Sequence, residues 1–240
     1  MSLNTDQVRD FFDSPFYLEH GRPIIQVRSM IVRELLGSVV GGRIVDLGCG
    51  DGSLSIPFVE EASELTLVDL SPRMLELAES RIPDRFIGKV GLINGPLSDF
   101  NPDTTYDVVL CVGVLAHVPS IEDAIKKISQ CLKPGGKTII EFTPNPNPLG
   151  KLLFPYYWLR RTLSGTPMGY STNKIPLVQL LEITSRNGLS FVRQKRHYFP
   201  LPTMALWPMD WLYKYTLFSM KNKLMSKIGT EHIMLFSRMP

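Results

Sequence analysis

Short runs rich in Val, Ile and Leu alternate with helical stretches along most of this chain. Residues 43–47, 65–68, 90–94, 108–112 and 138–142 form five such runs, each bounded by Gly, Pro, Asn or Asp, and this is the pattern of strands buried on both faces. Residues 24–36, 53–61, 72–81 and 121–132 carry apolar positions at helical spacing and lie before or between those runs. The boundaries carry matching chemistry. Ser71 followed by Pro72 offers an N-cap hydroxyl and a ring with preset φ at the first helical position. Ser120 with Asp123 resembles a capping box, and Lys133-Pro134-Gly135-Gly136 ends the helix before the next strand. Strands alternating with helices of this size predict an α/β architecture with a mostly parallel, doubly wound sheet.

After residue 142 the pattern changes. TPNPNPLG is a loop by composition. Residues 149–163 are apolar and aromatic with basic ends, and 176–187 read as a helix closed by Gly188. Residues 191–195 and 233–237 are two further strand candidates. They are separated by 203–228, a segment with aromatic residues at helical spacing that reads as an insertion.

With 44 % apolar and 20 % charged residues over 240 positions, the chain can fill one sizeable core, which excludes disorder and coiled coil as descriptions of the whole. Cys49, Cys111 and Cys131 are too scattered for a disulfide framework or a metal site, so no metal is expected. No run of about 18 apolar residues is present and no basic segment leads into an apolar one at the start, so a cytoplasmic location is expected. The net charge of +3 is unevenly spread: residues 46–123 hold four basic side chains against fourteen acidic, and 186–240 hold nine against two. A basic C-terminal half suits either an anionic partner, a membrane surface included, or a merely solvated surface.

The most specific feature is IVDLGCGDG, residues 44–52. A strand ending in Asp46 runs into Gly48, Gly50 and Gly52, which permit a tight turn and close approach of a ligand to the backbone. The spacing is neither a dinucleotide fingerprint nor a P-loop, and no Lys or Arg follows to meet phosphate. One strand later, LTLVDLS places Asp69 21 residues after Gly48, where an acid can accept hydrogen bonds from ribose hydroxyls. A ribose acid without phosphate-binding features suits a nucleoside lacking pyrophosphate.

These segments, with LVDLSPRMLELA (67–78), YDVVLCVGVLAHVP (106–119) and LKPGGKTIIEF (132–142), resemble the class I S-adenosylmethionine-dependent methyltransferases. The resemblance is to the small-molecule branch that includes the ubiquinone and menaquinone biosynthesis enzymes. It implies a Rossmann-like seven-stranded sheet with its last strand antiparallel, completed by 191–195 and 231–237, plus a helical lid and insertion. It implies one methyltransferase domain over 1–240, with a lid over 1–40, a cofactor core over 41–145, and substrate-side insertions at 146–175 and 203–228.

The resemblance also assigns roles. Asp46, Gly48, Cys49, Gly50 and Gly52 would flank the methionine part of S-adenosylmethionine, and Asp69 would hold the ribose. Leu70 and Met74 would pack on the adenine, although Met74 also suits a plain core position. Asn94, Gly95, Pro96 and Leu97 follow the third strand, where relatives carry an acid that reads the adenine amino group. None stands here before Asp99, which leaves Asn94 or backbone groups for that task. Cys111 and Val112 end the fourth strand, and the Cys111 carbonyl would meet the methionine amino group.

His117 matches a His near cofactor and substrate in the resembling proteins, either as a general base or as a positioned core residue. His197 and Tyr198 are secondary candidates. Phe11, Phe12, Phe16 and Tyr17 resemble a lid that closes over the cofactor, with a helix packed on the sheet as the alternative and His20 as part of the same segment. Arg28 suits either the methionine carboxylate or a surface position. The stripe of Trp207, Trp211, Tyr215 and Phe218, with Lys214, Lys221, Lys223 and Lys227, reads three ways: core or homodimer face, pocket lid, or amphipathic contact with anionic lipid.

The expected reaction is methyl transfer to O, N or C of a small hydrophobic or aromatic metabolite, leaving S-adenosylhomocysteine. A nucleic-acid methyltransferase is a rival that lacks the N/D-P-P-Y/F motif after the fourth strand. A non-catalytic cofactor-binding module is the second rival.

Overall fold

Seven strands form one sheet in the order β3-β2-β1-β4-β5-β7-β6 in the computed structural model, which describes residues 5–13, 22–145, 173–197, 207–222 and 225–240 together with positions 155 and 201. β1 (Arg43–Leu47), β2 (Glu64–Asp69), β3 (Val90–Asn94), β4 (Tyr106–Cys111) and β5 (Leu132–Phe142) pair in parallel. β7 (Glu231–Arg238) pairs antiparallel with both β5 and β6 (Leu189–His197), so it lies between strands that precede it in sequence. The expected Rossmann-like sheet with an antiparallel last strand is therefore present.

Helices cover both faces. α1 (Thr5–Phe12), α2 (Arg22–Leu36), α3 (Pro72–Glu79), α4 (Ile121–Cys131), α5 (Leu177–Arg186), α6 (Met209–Lys221) and α7 (Met225–Ile228) follow in chain order. Val27 and Ile31 of α2 and Leu75 and Ala78 of α3 are buried in one apolar cluster with Ile44 and Leu65 of the sheet. Ile125 and Ile128 of α4 and Leu180 and Ile183 of α5 are buried in the other, against Val45, Val109 and Ile140. The alternation of side chains along each strand feeds both clusters, which is why the strands read as continuous apolar runs.

Caps and breakers explain the boundaries. The Ser71 hydroxyl accepts from the Met74 amide at 3.0 Å, and the Ser120 hydroxyl accepts from Asp123 N–H at 3.2 Å. The helix predicted over 53–61 is not formed. A 3-10 turn spans only Ile56–Phe58, because Pro57 in mid-segment removes an amide donor and crowds the preceding turn. The Lys133–Gly136 turn lies inside β5 as a looped-out bulge: Leu132 pairs with Tyr106, and pairing resumes at Lys137 opposite Val108. The insertion expected over 203–228 contains α6 and α7. Among the described residues, no helix is long and apolar enough to cross a membrane.

Candidate active site

The strand order reverses at β1, whose neighbours are β2 and β4, and a crevice opens beyond the carboxyl ends of such strands. A cavity of about 330 Å³ lies there, in the size range of small-molecule sites, walled by the turn after β1, the end of β2, the loops after β3 and β4, and residues of α1, α2, α3 and α4.

The turn after β1 is fixed by its backbone. Gly48 and Cys49 both donate to the Val68 carbonyl, at 2.7 and 3.0 Å. Gly48 has φ +79°, and a Cβ there would stand 2.3 Å from Val114 Cγ2, so only glycine fits this close approach of the β1 and β4 loops. Asp69 closes the turn from the other side: Oδ2 accepts from the Gly50 amide at 2.7 Å and Oδ1 accepts from the Ser71 amide at 2.8 Å. Each oxygen keeps acceptor capacity for a diol. Burial raises the Asp69 pKa, and the two amides partly offset that.

Several of the expected contacts do line the cavity: Gly48, Gly50, Asp69, Leu70, Met74, Gly95, Pro96, Leu97, Val112, Arg28 and His117. Asp46, Cys49, Gly52, Asn94 and Cys111 are not in its wall, and Tyr17 lies outside the described residues. The Asn94 amide donates to the Asp69 and Leu70 carbonyls at 3.0 and 3.2 Å, so its side chain braces the end of β2. Cys111 is fully buried, and burial pushes its thiol well above the ordinary value, as it does for Cys49, so neither is a nucleophile in this state. Asp46 is 1 % exposed, and neither carboxylate oxygen nor Ser55 Oγ makes a hydrogen bond. Burial pushes the Asp46 pKa up to about 7, with the nearby Ser55 hydroxyl opposing the shift and the Asp69 charge adding to it.

His117 lines the cavity beside Phe12, the rings edge to face with centroids 5.2 Å apart. Burial and then the positive charge of Arg28 push its pKa down to about 4, against a smaller raising effect of Glu141. The imidazole is therefore neutral at physiological pH and can accept a proton. α1 is held against this wall through Asp13, which takes hydrogen bonds from the Ser71 hydroxyl and, at its backbone carbonyl, from Arg73 Nη1 at 2.7 Å.

One residue next to the site escaped sequence reasoning. Glu141, 4 % exposed on β5, accepts from Arg28 Nε on Oε1 at 2.8 Å and forms an ion pair with Arg28 Nη2, 2.8 Å from Oε2, and His197 Nε2 lies 2.9 Å from Oε1. Arg28 and His197 hold its pKa below the usual carboxylate range despite burial. The available signal was a carboxylate inside the apolar run TIIEF, which requires a buried partner. His20 and Tyr198 lie outside the described residues. Among the described residues, no group of three or more His, Cys, Asp or Glu is placed to hold a metal.

Residues 45–138 match the methyltransferase domain family. A ubiquinone biosynthesis O-methyltransferase of Bordetella avium is 31 % identical over 140 residues, 56 % of this chain and 57 % of its own length. A ubiquinone/menaquinone biosynthesis C-methyltransferase of Azotobacter vinelandii is 32 % identical over 139 residues, 55 % of each. The match thus spans little more than half the length of these curated relatives. Among solved structures, the magnesium protoporphyrin IX methyltransferase of Synechocystis PCC 6803 with bound SAH superposes with a TM-score of 0.66 at 18 % identity, covering 98 % of this chain and 99 % of that one. That likeness extends the shared fold beyond the matched core.

Proposed function

We propose that the chain is a class I S-adenosylmethionine-dependent methyltransferase and that it transfers a methyl group from S-adenosylmethionine to O, N or C of a small hydrophobic or aromatic metabolite. The observation that carries this reading is the cavity wall at β1 and β2: Asp69 is held by the Gly50 and Ser71 amides beside the bare backbone of Gly48. A nucleoside fits that wall, because it presents an acid for a diol and no Lys or Arg stands in the glycine turn itself.

Asp69 would hold the ribose hydroxyls, and Leu70, Met74 and the Gly95–Leu97 backbone would enclose the adenine. Gly48 and Gly50 let the methionine part lie against the main chain, and Arg28, oriented by Glu141, would meet its carboxylate. Bound there, S-adenosylmethionine would supply a sulfonium methyl group open to displacement. His117 contributes a neutral imidazole nitrogen that can take the acceptor's proton, and alignment of acceptor and methyl carries most of the rate. α1, with Val8 and Phe12 in the cavity wall, keeps water from the reacting atoms and forms part of a lid over 1–40. The 146–175 and 203–228 segments select the acceptor.

The two curated relatives are named for ubiquinone and menaquinone biosynthesis, and the mostly apolar cavity wall supports a hydrophobic or aromatic acceptor. Calorimetric titration with S-adenosylmethionine and S-adenosylhomocysteine, with NAD and ATP as controls, tests the reading. Binding of the first two alone supports it, and labelled-methyl screening of phenols, amines and acids then finds the acceptor. Binding of NAD or ATP with neither sulfur compound overturns it.

A further inference from the structure

α6 is built the wrong way round for a helix that faces only water. Thr216 and Ser219, each 3 % exposed, point inward and spend their hydroxyls on the Leu212 and Thr216 carbonyls of their own helix, at 2.7 and 2.8 Å. Trp211 and Phe218 point outward, 66 % and 57 % exposed. Seven residues apart, these rings lie two turns along one stripe, separated by about 10 Å. Lys214 and Lys221 run beside that stripe, both exposed and, among the described residues, without an ion pair. Asp210 is the one acid on the helix, and it sits in the first turn.

We propose that this face of α6 docks on a bilayer carrying anionic lipid. Aromatic rings flanked by lysines match the boundary between headgroups and acyl chains: the rings bury in the boundary and the ammonium groups reach the phosphates above it. The excess of nine basic over two acidic side chains in residues 186–240 adds long-range attraction to the same surface. An enclosing protein partner would instead leave two lysines to be paired inside an apolar contact. The inference does not depend on the methyl-transfer reading.

The test is co-sedimentation of the full chain with vesicles of phosphatidylglycerol and with vesicles of phosphatidylcholine. Binding to the first at low salt, weakened roughly tenfold or more at high salt and against the second, is the expected result. The Trp211→Ser, Phe218→Ser double variant should lose roughly tenfold in vesicle affinity, and the Lys214→Gln, Lys221→Gln pair should abolish the preference for anionic lipid. All four side chains are exposed, so thermal stability and S-adenosylhomocysteine binding should stay unchanged in both variants. Absence of binding to either vesicle, or equal binding by wild type and the aromatic variant, overturns the proposal. A concentration-dependent doubling of mass that the aromatic variant abolishes would also overturn it, by making a second copy of the chain the occupant.

Discussion

Asp46 and Glu141 are each the penultimate residue of a parallel strand, two strands apart, and both are nearly sealed from solvent. At the β5 end, Glu141 is gripped by Arg28 and touched by His197, and its acidity is strengthened. At the β1 end, Asp46 has no ion pair among the described residues, and burial pushes its pKa up to about 7 with only the nearby Ser55 hydroxyl opposing the shift. An unpaired buried carboxylate costs stability, and a paired one is costly mainly to break. The β5 end is therefore arranged as structure. The β1 end carries a weakly compensated polar group just before the glycine turn of the site.

The largest expected effect comes from breaking the paired end. Glu141→Ala leaves the Arg28 guanidinium without its carboxylate and should cost roughly 3–5 kcal/mol in denaturant unfolding. Loss below 1 kcal/mol would show that the pair contributes little.

Asp46→Asn should act in the opposite direction. The folded pKa of Asp46 is raised, to about 7 from 3.8, so the wild type binds the extra proton when folded and loses stability as pH rises between those values. The variant should melt higher than wild type at pH 8, by an amount on the order of 2–4 kcal/mol, and converge with it near pH 4. Equal melting at both pH values would remove the contrast. Glu141, with a lowered pKa, has the reverse slope: its contribution is present above the unfolded value and is lost as pH falls through the folded one.

A smaller effect is expected at Asp69, which both braces the turn and faces the cavity. Asp69→Ala should weaken S-adenosylhomocysteine binding by about 1.5–3 kcal/mol in calorimetry, and unchanged affinity would refute the ribose role. The smallest effect is a near absence of change. With the His117 pKa held near 4, the methyl-transfer rate should stay level from pH 8 to about pH 5.5 and decline only below. A decline centred near 6.5 would mean that an unperturbed imidazole is acting.

The strands, the caps and the Gly48–Asp69 relation were legible in the sequence because each depends on neighbours a few residues away: a Val-rich run, a Ser before Pro, a glycine at a turn. The 53–61 helix failed because Pro57 outweighed an apolar spacing that looked helical. Glu141 was missed because its partner stands 113 residues away, on a helix whose docking no local pattern announces. Asn94 donates its amide to the Asp69 and Leu70 carbonyls, 25 and 24 residues away in the chain, a pairing that its own loop does not announce. Asp46 was identified as a site residue, but its isolation was visible only once the fold had closed around it.

The position of β7 has a consequence for how the chain folds during synthesis. β6 is an edge strand whose ladder is with β7, and β7 follows it by more than thirty residues, so that ladder waits until β7 has left the ribosome. β1 to β5 can pair before then. Closure of the second half is a late, non-local step that brings Glu141 and His197 to the same side of an intervening strand. A nascent chain stalled between the two would expose a strand edge at β5, where aggregation or a chaperone would first take hold.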